Sequence, residues 1–263
     1  MKQGNRQLSL RKWIQVTNTL ESSTLRRALD IVSAVAVTVL ACTLTWSTIA
    51  DRHARAANIR PPRAADTSRP PVPSQLLSLD GAMVKGTRAA RIAVVEYSDF
   101  QCPYCGLFAR NTLPSLEQEY VQTGRVLFAF RSMPLAIHPA AEPAAVAARC
   151  AGEQGRFWEM HDSLFADQQH LDSDSITHRA NLLQLRPDRF AACLHGDAIN
   201  SVHQERAGAE ALEVTGTPTF FLGALLPDGH VKITNVLTGS QPLATFQSTI
   251  DADLKAATAG GHN

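Results

Sequence analysis

The chain is short of cysteine and carries almost no net charge. Its 263 residues include five cysteines, and 25 lysines and arginines stand against 24 aspartates and glutamates, a formal charge of +1. So even a balance gives no reason to invoke nucleic acid, whose phosphates call for a basic surplus. Only Cys102 and Cys105 lie close together; Cys42, Cys150 and Cys193 are isolated. A four-ligand zinc site normally needs a second close pair of cysteines or histidines, so the composition argues against a metal centre. There is no internal repeat, and the chain does not read as a repeat array.

What the sequence does carry is Asp99-Phe100-Gln101-Cys102-Pro103-Tyr104-Cys105, a CxxC placed where a strand-like run gives way to a helix-like one. Arg91 to Tyr97 is apolar and β-branched, as a buried strand should be. Gly106 to Tyr120 sets Leu107, Phe108, Leu113, Leu116 and Tyr120 at helical spacing. Cys102 then falls at a helix N-terminus, where free backbone N–H groups and the macrodipole favour a thiolate, and Pro103 suits the first turn because no N–H is needed from it. A lowered pKa makes a cysteine nucleophilic near neutral pH. Cys105, three residues on, returns to the same face and can resolve a mixed disulfide on Cys102. This context favours a redox dithiol over two inert buried thiols.

Further along, Gly216-Thr217-Pro218-Thr219-Phe220-Phe221 opens an apolar strand with a proline, which a central strand normally excludes. Thr217-Pro218 is therefore a candidate cis peptide. The expected order is strand (92–98), helix (103–120) broken at Pro114, strand (126–131), a helical stretch (140–212), strands (219–222) and (230–236), and a closing helix (243–256). The last two strands read as a hairpin across Pro227-Asp228-Gly229, and Leu243, Phe246, Ile250 and Leu254 form the core stripe of the closing helix.

Upstream, Ile31 to Ala50 runs for twenty residues without a charge, enough to cross a hydrocarbon core of about 30 Å at about 1.5 Å per residue. Lys2, Arg6, Arg11, Lys12, Arg26 and Arg27 precede it against Glu21 and Asp30, which orients the N-terminus to the cytoplasm. A cleaved leader ending near Ala54-Arg55-Ala56 is the competing reading, disfavoured because both the polar leader and the apolar run are long for it. The expected map is a cytoplasmic segment (1–30), a transmembrane anchor (31–50), a Pro-, Ala- and Arg-rich tether (51–75), and a domain (76–263) with a helical insert at about 139–212. Cys42, inside the anchor, serves there as an apolar residue.

Tyr97-Ser98-Asp99-Phe100-Gln101-Cys102-Pro103-Tyr104-Cys105, Gly216 to Phe221, and Arg149 to Phe165 together resemble the thioredoxin superfamily, and within it the DsbA-type extracytoplasmic thiol oxidoreductases, over roughly Ser78 to Ala257. The resemblance implies an α/β thioredoxin fold with an inserted helical domain. It implies catalysis by Cys102 and Cys105, a substrate groove beside Thr217 and Pro218, and a structural disulfide between Cys150 and Cys193. It also implies no cofactor beyond the dithiol. Reduced exported proteins are the implied substrates, with a membrane partner of the DsbB or vitamin K epoxide reductase type as reoxidant. The bacterial cell membrane, with the domain outside, is the implied location. Glu96 matches a buried acid thought to move protons at the resolving cysteine, the alternative being a partly exposed strand residue. His138 and His161 match family positions but read as structural or surface residues. Tyr104 supplies no positive charge where DsbA-type oxidases often carry His, which implies an oxidant of intermediate strength. A reductase or isomerase of the same fold, or a binding module without turnover, are the alternatives; the second has no need of paired thiols.

Overall fold

A computed structural model of the chain describes residues 72–259. The expected anchor, the segment before it, Cys42 and the tether up to residue 71 lie outside the described residues. Among the described residues, no helix is long and apolar enough to cross a membrane.

Six strands form one sheet in the order β1-β6-β5-β3-β4-β2: β1 (Leu76–Ser78), β2 (Met83–Lys85), β3 (Ile92–Ser98), β4 (Val126–Ser132), β5 (Thr219–Leu225) and β6 (His230–Thr238). β3 pairs parallel with β4 and antiparallel with β5, so it sits at the centre, and every one of its residues is buried. Period-2 alternation sends its side chains to two different cores. Ile92 and Val94 pack with Phe108, Phe128, Phe220 and Phe246 on one face, and Ala93, Val95 and Tyr97 with Leu127, Phe221 and Val231 on the other. Burial on both faces explains why the run is apolar throughout and does not alternate with polar residues.

The helix after the CxxC is interrupted, as Pro114 predicts: α1 (Pro103–Asn111) stops at Thr112, α2 (Leu113–Leu116) restarts with the proline in its first turn, and a π-helical turn (Glu117–Val121) follows. Between β4 and β5 lie five helices, α3 (Ala141–Gly152), α4 (Phe157–Ala166), α5 (Ser173–Leu182), α6 (Pro187–Leu194) and α7 (Ala198–Ala211). The closing α8 (Leu243–Ala259) buries Phe246 and Ile250 against the sheet. β5 and β6 form the expected hairpin, three and two residues longer than the sequence pattern indicates. Within it Gly223 meets a register shift, where any Cβ would fall 2.0 Å from the Lys232 carbonyl oxygen, so only glycine fits.

The sequence reading misses β1 and β2. At three residues each they are too short to show alternation, and their placement is tertiary. Arg131 donates to the carbonyls of Ser78 and Asp80 at 2.7 and 2.9 Å, and Arg149 to that of Gly81 at 3.0 Å. The buried Glu205 carboxylate lies 3.8 Å from Arg131 and 3.6 Å from Arg149, and accepts the Ser132 N–H at 2.8 Å.

The insert has its own apolar core, built on alanines 144, 145, 147, 148 and 151 of α3 with Met160, Leu164, Phe165 and Val202, and Cys102 and Cys105 belong to that same cluster. A disulfide joins Cys150 of α3 to Cys193 of α6, with Cα atoms 5.7 Å apart and a sequence separation of 43. By the chain-entropy argument a loop of this length stabilises by about 4 kcal/mol. Replacing both cysteines by alanine is expected to lower the urea-unfolding free energy by about 2 to 4 kcal/mol. An unchanged midpoint would show that the unfolded chain gains nothing from the missing link.

Candidate active site

β3 ends by delivering Asp99 into a turn that runs to the head of α1. Cys102 is the N-cap of that helix, with extended backbone (φ −68°, ψ 122°), and Pro103 opens its first turn. The Asp99 carboxylate, wholly buried, holds the turn: Oδ1 accepts the Gln101 N–H at 2.7 Å and the Cys102 N–H at 3.1 Å. Its other oxygen accepts the Leu135 N–H at 2.8 Å and lies 2.8 Å from His138 Nδ1.

Across from this turn the Thr217-Pro218 peptide is cis. The Cys102 thiol, only 4 % exposed, donates to the Thr217 carbonyl at 3.4 Å. The two motifs, 115 residues apart, therefore meet at one sulfur. Cys102 and Cys105 are both thiols here.

Three acids share this pocket and their affinities for protons diverge. The Cys105 thiol, by hydrogen-bonding to it, draws the Cys102 pKa down to about 5 against the cost of burial, with help from the Thr217 hydroxyl and the backbone N–H groups of Cys105 and Tyr104. Tyr104 acts through its backbone, its ring being 60 % exposed. Cys105, fully buried, is pushed well above the ordinary thiol value by burial, by its hydrogen bond to Cys102 and by the nearby Glu96. Glu96 is raised to about 8, chiefly by burial, opposed by the Ser98 hydroxyl and reinforced by the Cys102 charge. It is 1 % exposed, and neither carboxylate oxygen has a hydrogen-bond partner within the limits of an ordinary bond. This is the buried alternative for Glu96 rather than the exposed-strand one. The arrangement provides a ready thiolate at Cys102, a thiol held in reserve at Cys105 and a carboxyl poised to exchange protons near neutral pH.

His138 does not lie free on the surface; it braces Asp99. His161 is completely buried, with Nδ1 2.7 Å from Asp162 and its ring packed edge-on against Phe100, Phe130, Trp158 and Phe165. That is a structural position beneath the turn. Sequence reasoning missed Asp99, although an aspartate heading a turn is a recognisable signal, since its carboxylate can accept nearby backbone N–H groups. Among the described residues no cluster of histidine, cysteine or carboxylate side chains could hold a metal.

A family model described as Thioredoxin matches residues 78–252. Over 152 residues, 57 % of this chain, the sequence is 40 % identical to a Na⁺/H⁺ antiporter of Salinispora tropica, of which the match spans 23 %. It is 25 % identical over 183 residues to a putative protein-disulfide oxidoreductase of Rickettsia conorii, 67 % of this chain and 61 % of that one. The chain thus spans less than two thirds of the length of either relative. Among solved structures, alpha-DsbA1 of Wolbachia pipientis superposes with a TM-score of 0.63 at 24 % identity, over 70 % of this chain and 96 % of that one. Oxidised BdbD of Bacillus subtilis gives 0.61 at 20 %, over 71 % and 100 %. At these identities the superpositions speak to the fold.

Alkylation of the reduced protein across pH is expected to label Cys102 with a midpoint near pH 5 and to leave Cys105 unlabelled at neutral pH. Thr217→Val, which removes the polar side chain that lowers the Cys102 pKa, should move that midpoint upward; preferential labelling of Cys105 would reverse the assignment. Glu96 gives a second test, in stability. Its folded pKa of about 8 lies above the ordinary 4.5, so the folded state holds the proton more tightly and its stability falls as pH rises from 4.5 towards 8. Glu96→Gln should therefore be more stable than the parent at pH 8, by on the order of a few kcal/mol, and lose that advantage near pH 4.5. Urea unfolding at the two pH values measures it; a difference independent of pH would mean that Glu96 is solvated.

Proposed function

The chain belongs to the thioredoxin family, matched over residues 78–252, and from that premise we propose that it is a DsbA-like thiol:disulfide oxidoreductase that oxidises exported proteins. The observation that carries the reading is the division of labour at the head of α1: a thiolate at Cys102, against the Thr217-Pro218 loop, and a protonated reserve thiol at Cys105. A dithiol whose reduced form is stabilised as a thiolate is drawn towards reduction and so oxidises its partners. The name of the Rickettsia relative, a putative protein-disulfide oxidoreductase, supports the same class of activity.

In the forward reaction a substrate thiolate attacks Cys102 Sγ of the Cys102–Cys105 disulfide. That bond breaks, Cys105 leaves as a thiolate and takes up a proton, and a mixed disulfide joins substrate to Cys102. A second substrate thiolate then attacks the substrate sulfur, and Cys102 departs with the bonding pair. The product is an oxidised substrate and a reduced dithiol, two electrons having passed inward. The low pKa of Cys102 makes it the better leaving group in that step. Glu96 takes or returns the proton of Cys105, which lies too far above neutrality to ionise unaided. Backbone groups beside Pro218 receive the substrate as an added strand. No nucleotide, flavin or metal enters any step.

The domain acts outside the cytoplasm, tethered by the apolar run 31–50 and reoxidised by a membrane partner of the DsbB or vitamin K epoxide reductase type. Two features support this: the basic residues preceding that run, and the Cys150–Cys193 disulfide, of a kind that persists in oxidising compartments.

Acid trapping in living cells should find Cys102 and Cys105 mostly disulfide-bonded, and Cys105→Ala should accumulate mixed disulfides with exported proteins where Cys102→Ala does not. A dithiol found reduced at rest would make the enzyme a reductase or isomerase.

A further inference from the structure

Gln168 lies in the loop after α4, half-exposed, where a glutamine in the sequence reads as surface. Its side chain nevertheless reaches the redox turn. Nε2 donates to the Phe100 carbonyl at 2.9 Å and to the Cys102 carbonyl at 2.8 Å, across 68 and 66 residues of sequence. Arg110 donates to Oε1 at 3.3 Å, which fixes which end of the amide faces the turn. The path is open only because residue 106 is glycine: a Cβ there would sit 2.0 Å from Gln168 Oε1.

The two carbonyls that Gln168 holds belong to the peptide planes on either side of the Gln101-Cys102 segment. Pro103 has no N–H, so the plane of the Cys102-Pro103 peptide is held through its carbonyl alone, by Gln168 and by the Gly106 N–H at 3.1 Å. On the opposite side the Cys102 N–H is held by Asp99. Cys102 is thereby gripped at both ends of its backbone, and that grip sets where Sγ points relative to the N–H groups of Tyr104 and Cys105 that stabilise its charge.

We infer that Gln168 is a positioning residue for the nucleophile, a contact through which the helical insert holds Cys102 in its reactive geometry. The inference rests on the reading of Cys102 as the attacking thiol. Gln168 touches no sulfur; it acts on Cys102 through the backbone. An amide tolerates this role across the whole working pH range, because it donates without carrying a charge that would oppose the thiolate.

The test uses the full-length reduced protein and iodoacetamide as probe, with the pH midpoint of Cys102 labelling and the melting temperature read together. Gln168→Ala is expected to raise the midpoint by about half a unit to one unit, a roughly three- to tenfold loss of thiolate at any pH below it. Gln168→Glu keeps the reach but, ionised, cannot donate, and should shift the midpoint at least as far. Gly106→Ala, which leaves Gln168 in the chain but blocks its path, should reproduce the shift. The Cys150→Ala, Cys193→Ala double variant loosens the insert without touching the turn and should leave the midpoint in place. An unchanged midpoint in Gln168→Ala, whatever happens to its melting temperature, overturns the inference, and so does an equal shift in the double cysteine variant. The midpoint needs no substrate, so oxidation of a reduced dithiol peptide by the parent protein, run alongside, tests the proposed activity separately.

Discussion

A single buried carboxylate holds the working end of this molecule together. Asp99 lies where three separately folded pieces meet: the end of β3, the head of α1 and the stretch after β4 that leads into the insert. Carried at the end of β3, its carboxylate accepts the Gln101 and Cys102 N–H groups at the head of α1 and the Leu135 N–H after β4, and lies 2.8 Å from His138 Nδ1. A wholly buried charge is tolerated only when its lone pairs are occupied. The requirement works in both directions. The groups that satisfy Asp99 are thereby fixed, and removing any one of them leaves a costly deficit at the centre of the site. The sheet supplies rigidity, but the seating of the Cys102 backbone against the stretch that leads into the insert depends on this acid being fully partnered.

The second organising effect is that the pocket has room for little negative charge. Cys102, Cys105 and Glu96 are all buried together: charge on Cys102 raises the pKa of both Glu96 and Cys105, and Glu96 raises that of Cys105. Charge settles at Cys102 because the Cys105 thiol hydrogen-bonds to it, with the Thr217 side chain and the backbone N–H groups of the helix head adding to the effect. The same charge then keeps Cys105 and Glu96 protonated. Once Cys102 is bound in a mixed disulfide its charge is gone, and the penalty on the other two relaxes together. Titrations of the three are properties of the set and not of separate residues.

Local signals carried much of this into the sequence. The β-branched run before Asp99, the proline that breaks the helix at 114, the turn at 227–229 and the proline before Thr219 all report their own surroundings, and each element stands where such signals place it. What escaped notice depends on partners distant in the chain. β1 and β2 exist because β6 and β4 offer edges to pair with. Glu205 looks like a solvated residue on a helix until Arg131 and Arg149 are brought beside it. His138 and Gln168 were legible as residue types but not as contacts, since no periodicity marks a side chain that reaches a turn 39 or 66 residues away.

The guanidinium clamp on residues 78 to 81 bears on mechanics. A force applied to the polypeptide ahead of Leu76 enters the domain at β1, the outermost strand on the edge formed with β6, and next meets the carbonyls gripped by Arg131 and Arg149. Those two side chains are anchored in β4 and α3 and share Glu205 as counter-charge, so the load passes into β4 and the first helix of the insert. The leading end of the domain is thus tied through its own backbone carbonyls to β4 and α3, and not to the turn that carries Cys102.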